Sequence, residues 1–149
     1  MISIRSRSKC FAFMMAANAL IFSTSLAQTP TRSEPRVVLQ GYDSVSYFSD
    51  NKAVKGTPTI SYDWDEGRYQ FSSAKNRQAF SENPDRFAPQ FGGFCTAGMA
   101  KGVKAEANPE FFTVVNGKLY TFSSLKARDA ALADPDLFAQ AEKNWKDKR

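Results

Sequence analysis

A cysteine and a methionine stand four residues apart in the segment Phe91-Gly92-Gly93-Phe94-Cys95-Thr96-Ala97-Gly98-Met99. A thiolate is a nucleophile and a soft metal ligand, and a thioether is a second soft ligand. Cys95 and Met99 are therefore the candidate donors for a soft ion such as copper in its Cu(I) state, sharing one face if the segment is helical. Gly92 and Gly93 permit unusual backbone angles and close approach to a ligand, so Gly92, Gly93, Phe94 and Cys95 form the candidate ligand-binding loop. The spacing predicts a short helix over Thr96–Lys101. A thiol at its start, with Lys101 and Lys104 nearby, has a physical reason to ionise, which makes Cys95 the candidate catalytic nucleophile. The competing reading is that Cys95 is a small buried apolar residue, as cysteine often is.

Other chemistry is limited by composition. The chain of 149 residues contains no histidine, which excludes histidine-based triads, histidine-ligated haem and the common zinc sites. Asp43, Asp63, Asp65 and Glu66 lack the spacing of a calcium-binding loop and read as turn and surface residues. Aromatic residues are plentiful, and they read as core rather than as a stacking platform.

The N-terminal segment has the layout of a signal peptide. Arg5, Arg7 and Lys9 precede an apolar run from Cys10 to Phe22, and Ser25-Leu26-Ala27 offers a cleavage site after Ala27. The run is shorter than the roughly 20 residues needed to span a bilayer. The expected product is periplasmic or secreted, with no membrane attachment after cleavage. Residues 28–36 read as a disordered leader and residues 37–149 as one domain. All 15 acids but only 17 of the 20 bases lie beyond Ala27, so the mature charge is about +2 and no nucleic-acid partner is expected. Cys95 is the only cysteine left after cleavage, so no internal disulfide can form and stability must come from packing.

The elements that must position Cys95 come from an internal repeat. Tyr69-Gln-Phe-Ser-Ser-Ala-Lys-Asn-Arg-Gln-Ala79 matches Tyr120-Thr-Phe-Ser-Ser-Leu-Lys-Ala-Arg-Asp-Ala130 at an offset of 51 residues, and Pro84-Asp-Arg-Phe-Ala88 matches Pro135-Asp-Leu-Phe-Ala139. Each copy reads as a hairpin, a Ser-capped helix and a proline-started short helix. Strands are expected at Thr59–Trp64 and Phe111–Val115, with turns at Asp65-Glu66-Gly67 and Asn116-Gly117. Helices are expected at Ala74–Glu82 and Leu125–Ala133. Val37–Phe48 reads as an extra strand or turn. The fold class is α+β, two repeated hairpin-plus-helix units forming one small domain. The copies part after Ala88 and Ala139: the second continues as a plain helix over Gln140–Lys146, whereas the first breaks at Pro89 and enters the Cys95 loop.

Gly41-Tyr-Asp-Ser-Val-Ser-Tyr-Phe48, Tyr69-x-Phe-Ser-Ser-Ala-Lys-Asn-Arg-Gln-Ala-Phe80, Asn83-Pro-Asp-Arg-Phe-Ala-Pro-Gln-Phe-Gly-Gly-Phe-Cys95 and Asn116-Gly-Lys-Leu-Tyr120 resemble the exported branch of the YHS-domain family. The resemblance covers nearly all of residues 37–146. Some relatives in that branch carry selenocysteine at the position that looks like Cys95, which implies redox chemistry or soft-ligand binding there. The domains of this family attached to copper pumps carry a pattern like Asp-Pro-Val-Cys and Phe-Cys-Ser-x-x-Cys. Here Ser46, Ser72 and Asn76 stand where those thiols would be, and the name-giving histidine is absent, so that metal site does not carry over.

Three functions follow from this reading. The first is a binding or sensing module that takes a soft metal ion or small molecule at the Cys95 loop. The second is a thiol redox enzyme with Cys95 as nucleophile, turned over by an external thiol reductant because no resolving cysteine exists. The third is a structural or interaction module with an inert thiol. Binding ranks above catalysis because no general base is visible near Cys95.

Overall fold

The computed structural model describes residues 33–148. The expected signal peptide and its cleavage site lie outside the described residues, as does most of the leader. Arg36, the last leader residue, is the first residue of β1 (Arg36–Val37), which pairs in parallel with β3.

Strands β2 (Thr57–Trp64) and β3 (Gly67–Phe71) form the first hairpin, and with β1 they make a sheet of order β1-β3-β2. Strands β4 (Asn108–Val115) and β5 (Lys118–Phe122) form the second. The hairpin turns are the two-residue pairs Asp65-Glu66 and Asn116-Gly117, all four with positive φ, the geometry that matches strand twist. Gly67 belongs to β3 rather than to the turn. Both β2 and β4 begin earlier than the sequence suggests, because Pro58 and Pro109 are accommodated beside irregularities, between Thr57 and Ser61 and between Asn108 and Phe112.

The helices are α1 (Ser46–Ser49), α2 (Ala74–Glu82), α3 (Pro84–Phe87), α4 (Thr96–Ala100), α5 (Leu125–Ala133) and α6 (Asp136–Lys146). The Ser73 and Ser124 hydroxyls accept the Asn76 and Ala127 backbone N–H groups and so fix where α2 and α5 start. The domain is thus α+β, as its patterning suggests.

Two apolar clusters hold these elements. Tyr69, Phe71 and Phe80 form the first with Val38, Leu39, Val45, Tyr47, Ala88 and Leu119. Phe80 is fully buried among the rings of Tyr62, Trp64, Tyr69 and Phe71. Burying one such ring contributes about 2–3 kcal/mol. The second cluster gathers Phe91, Met99, Tyr120, Phe122, Ala131 and Ala141. The Tyr47 hydroxyl ties α1 to β4 by donating to the Pro109 carbonyl at 2.9 Å.

Candidate functional site

The Cys95 loop opens with a tight 3-10 turn at Gln90–Gly93, in which Phe91 (φ 56°) and Gly92 (φ 61°) are left-handed. Gly93 follows at φ 79°, with a Cβ there falling 3.2 Å from Leu39, so glycine serves both backbone angle and packing. Cys95 is the N-cap residue of α4 and is 2% exposed. The Ser123 N–H donates to its Sγ at 3.3 Å, and the thiol lies 3.5 Å from the Ser123 hydroxyl. The sulfur thus faces the start of α5 and, by accepting a backbone N–H, ties the loop to the end of the second hairpin. α4 is a single turn of five residues.

Met99, fully buried, packs into the second core cluster. Its backbone N–H bonds the Cys95 carbonyl at 2.9 Å. Among the described residues, no group of three or more His, Cys, Asp or Glu side chains is placed to hold a metal ion. Lys101 ends α4, and Lys104 points elsewhere: its Nζ lies over the Trp145 ring, 4.9 Å from the centroid.

An arrangement like that around Cys95 occurs once more, around Asp43. Val38–Gly41 is also a 3-10 turn with two left-handed residues, Leu39 (φ 52°) and Gln40 (φ 49°). It leads through Tyr42 and Asp43 into α1, as Gln90–Gly93 leads through Phe94 and Cys95 into α4. Tyr42 bridges Lys55 as Phe94 bridges Glu106, and the Asp43 and Cys95 N–H groups bond the Val54 and Ala105 carbonyls at 2.8 Å each. Asp43 is fully buried. Its Oδ2 accepts the Ser72 N–H (2.9 Å), the Ser72 hydroxyl (2.6 Å) and Asn76 Nδ2 (2.8 Å), while Oδ1 accepts the Val45 N–H (2.9 Å). Ser72 holds the place in the first hairpin that Ser123 holds in the second. Ser46 joins the same cluster by donating to the Asp43 carbonyl at 2.7 Å. Sequence reasoning left Asp43 as a turn residue. The signal for its role was the Gly-aromatic pair before it, Gly41-Tyr42, matching Gly93-Phe94.

The outer side of the Cys95 loop is different. Gln90, Phe91, Gly92 and Phe94 form one wall of a cleft of about 630 Å³. Trp64, Asp65, Glu66 and Tyr69 of the first hairpin and Asp85 of α3 also line it. Trp145 near the end of α6 completes the lining with Lys104 and Lys148. α6 is held there because Asn144 Nδ2 donates to the last carbonyls of α4, Met99 (3.0 Å) and Ala100 (2.9 Å), and Trp145 packs edge-on to Phe91. Arg36 lines the cleft beside the loop: its guanidinium lies 4.3 Å from the Phe94 centroid, donates to the Gly92 carbonyl and stands 3.9 Å from Glu106. Burial pushes the Tyr69 hydroxyl pKa well above the tyrosine norm, helped by Asp65 and opposed by Arg36, so both charges act on this wall.

Of the candidate binding residues, Gly92 and Phe94 line this cleft, whereas Gly93 and Cys95 are buried behind it. Arg36, Trp64, Asp85, Trp145 and Lys148 were missed in the sequence because they come from positions far apart along the chain, and Asp65, Glu66 and Lys104 were read only as turn residues or as neighbours of Cys95. No protein-family model, curated protein or solved structure matches this chain.

Proposed function

We propose that the chain is an exported domain of YHS type that acts as a binding module, taking a small molecule in the cleft on the outer face of the Cys95 loop. The observation that carries this reading is the cleft itself. Its size is within the range of roughly 300–1,000 Å³ that small-molecule sites occupy, and five aromatic side chains border it. The loop's left-handed turn presents Gly92 and Phe94 to that space, and Cys95 anchors the turn from behind. The buried thiol and core-packed Met99 favour a small molecule over a soft ion as the ligand of this loop.

Trp64 and Trp145, the only tryptophans of the chain, both line the cleft, so intrinsic fluorescence reads it directly. Titration with the aromatic sulfonate 8-anilinonaphthalene-1-sulfonate should quench both tryptophans with a stoichiometry near one. Trp145→Ala should abolish most of that binding in a chain whose circular dichroism is unchanged. Equal binding by wild type and Trp145→Ala, or none by either, would remove the cleft as the ligand seat.

A further inference from the structure

The charges bordering the cleft are sorted by element. Carboxylates come from the first hairpin turn and α3: Asp65, Glu66 and Asp85. Ammonium groups come from other elements: Lys104 follows α4 and meets the Trp145 ring, and Lys148 follows α6. The same cleft carries the rings of Trp64, Tyr69, Phe91, Phe94 and Trp145. Arg36 also lines it, but its guanidinium is already committed to Gly92 and Phe94. Among the described residues no ion pair holds Glu66, Asp85, Lys104 or Lys148, whereas Arg68, Lys118 and Arg128 elsewhere all meet carboxylates within 3.0 Å. Glu66 and Asp85 against Lys104 and Lys148, charges of opposite sign contributed to one aromatic cleft by different elements, favour a ligand that is itself dipolar.

Resting on the binding reading above, we infer that the ligand class is a zwitterion with an apolar body, of about dipeptide size. Its anionic group lies at the Lys104 and Lys148 side, its cationic group lies at the Glu66 and Asp85 side, and its apolar body lies on the rings. Lys104, held over the Trp145 face, keeps its ammonium at the rim while its methylenes and the indole stay against the ligand.

Calorimetric titration of the whole chain with three probes tests this: the dipeptide Phe-Phe, its N-acetyl form (anion only) and its C-terminal amide (cation only). Phe-Phe should bind about tenfold tighter than either blocked form, since one charged hydrogen bond is worth roughly that factor. The surface double variant Lys104→Gln/Lys148→Gln should lose that factor for Phe-Phe and no longer distinguish it from the amide. Glu66→Gln/Asp85→Asn should likewise no longer distinguish Phe-Phe from the N-acetyl form. Affinities within twofold for all three probes, or no heat with Phe-Phe, would overturn the zwitterion. If the anilinonaphthalene sulfonate still binds in a Trp145-dependent way, the cleft reading survives that failure. If it does not, both fall.

Discussion

The Asp43 turn and the Cys95 turn solve one structural problem with different chemistry. Each must fasten a left-handed turn and a one-turn helix to the Ser-Ser corner where a hairpin meets its helix. Around Asp43 a carboxylate does this with four donors aimed at it. Around Cys95 a single sulfur accepts one backbone N–H, and Ala127 stands in the helix where Asn76 reaches the carboxylate. The difference teaches that the place of Cys95 is set by what the scaffold needs there. A lone thiol in a glycine-rich loop invites a reactive reading, but its counterpart is an acceptor of hydrogen bonds, and so is it.

The largest effect should come from breaking the stronger anchor. Asp43→Ala removes the acceptor of the Ser72 and Val45 N–H groups, the Ser72 hydroxyl and the Asn76 amide at once and should cost about 3–5 kcal/mol in denaturant unfolding. Cys95→Ala removes the sulfur that meets the Ser123 N–H and hydroxyl and should cost less, about 1–3 kcal/mol. If the two losses were equal, the anchors would not differ in the way their partners suggest. The comparison sharpens by transplanting one anchor into the other. Cys95→Asp alone buries a carboxylate with too few donors, and adding Ala127→Asn supplies the missing one. The double variant should therefore regain about 1.5–3 kcal/mol over Cys95→Asp, a positive coupling read by a double-mutant cycle.

Alkaline pH separates the two clusters more gently. Burial raises the pKa values of Tyr47 and Tyr69 in the first cluster strongly, and that of Tyr120 in the second less so. A raised folded pKa means the neutral form is favoured in the fold. That stability is fully present below the unfolded tyrosine pKa of about 10 and is lost as pH rises above it. Stability should stay flat on this account up to about pH 10 and then fall, and Tyr47→Phe should flatten the fall more than Tyr120→Phe. The smallest contrast concerns the next position in each turn. The Thr96 hydroxyl donates to the Thr121 carbonyl at 3.1 Å, so Thr96→Val should cost about 1 kcal/mol. Ser44, its counterpart, is buried with no partner for its hydroxyl among the described residues, so Ser44→Ala removes an unsatisfied polar group and should leave stability unchanged or raise it by up to about 1 kcal/mol in thermal unfolding.

What was legible in the sequence was local. α2 and α5 were readable to the residue because serine caps and prolines mark their limits. The first strand of each hairpin starts earlier than its expected bounds because an irregular strand start tolerates Pro58 and Pro109. The likeness of the Asp43 and Cys95 turns was hidden because Leu39 and Gln40 adopt left-handed angles that sequence rules assign to glycine. The candidate loop itself was found through Gly92 and Gly93. The cleft was not, since Arg36, Trp64, Asp85 and Trp145 meet only after β1 pairs with β3 and α6 folds back onto α4.

The central claim is that Cys95 anchors its loop from inside while the ligand seat lies outside. Its most direct test is the rate at which the thiol reacts with 5,5′-dithiobis(2-nitrobenzoate) in the native chain, with Cys10 replaced (Cys10→Ser) so that one thiol is read. The account predicts that labelling follows opening of the fold, rising with denaturant as steeply as unfolding does. Reaction in the absence of denaturant at a rate close to that of free cysteine would contradict it.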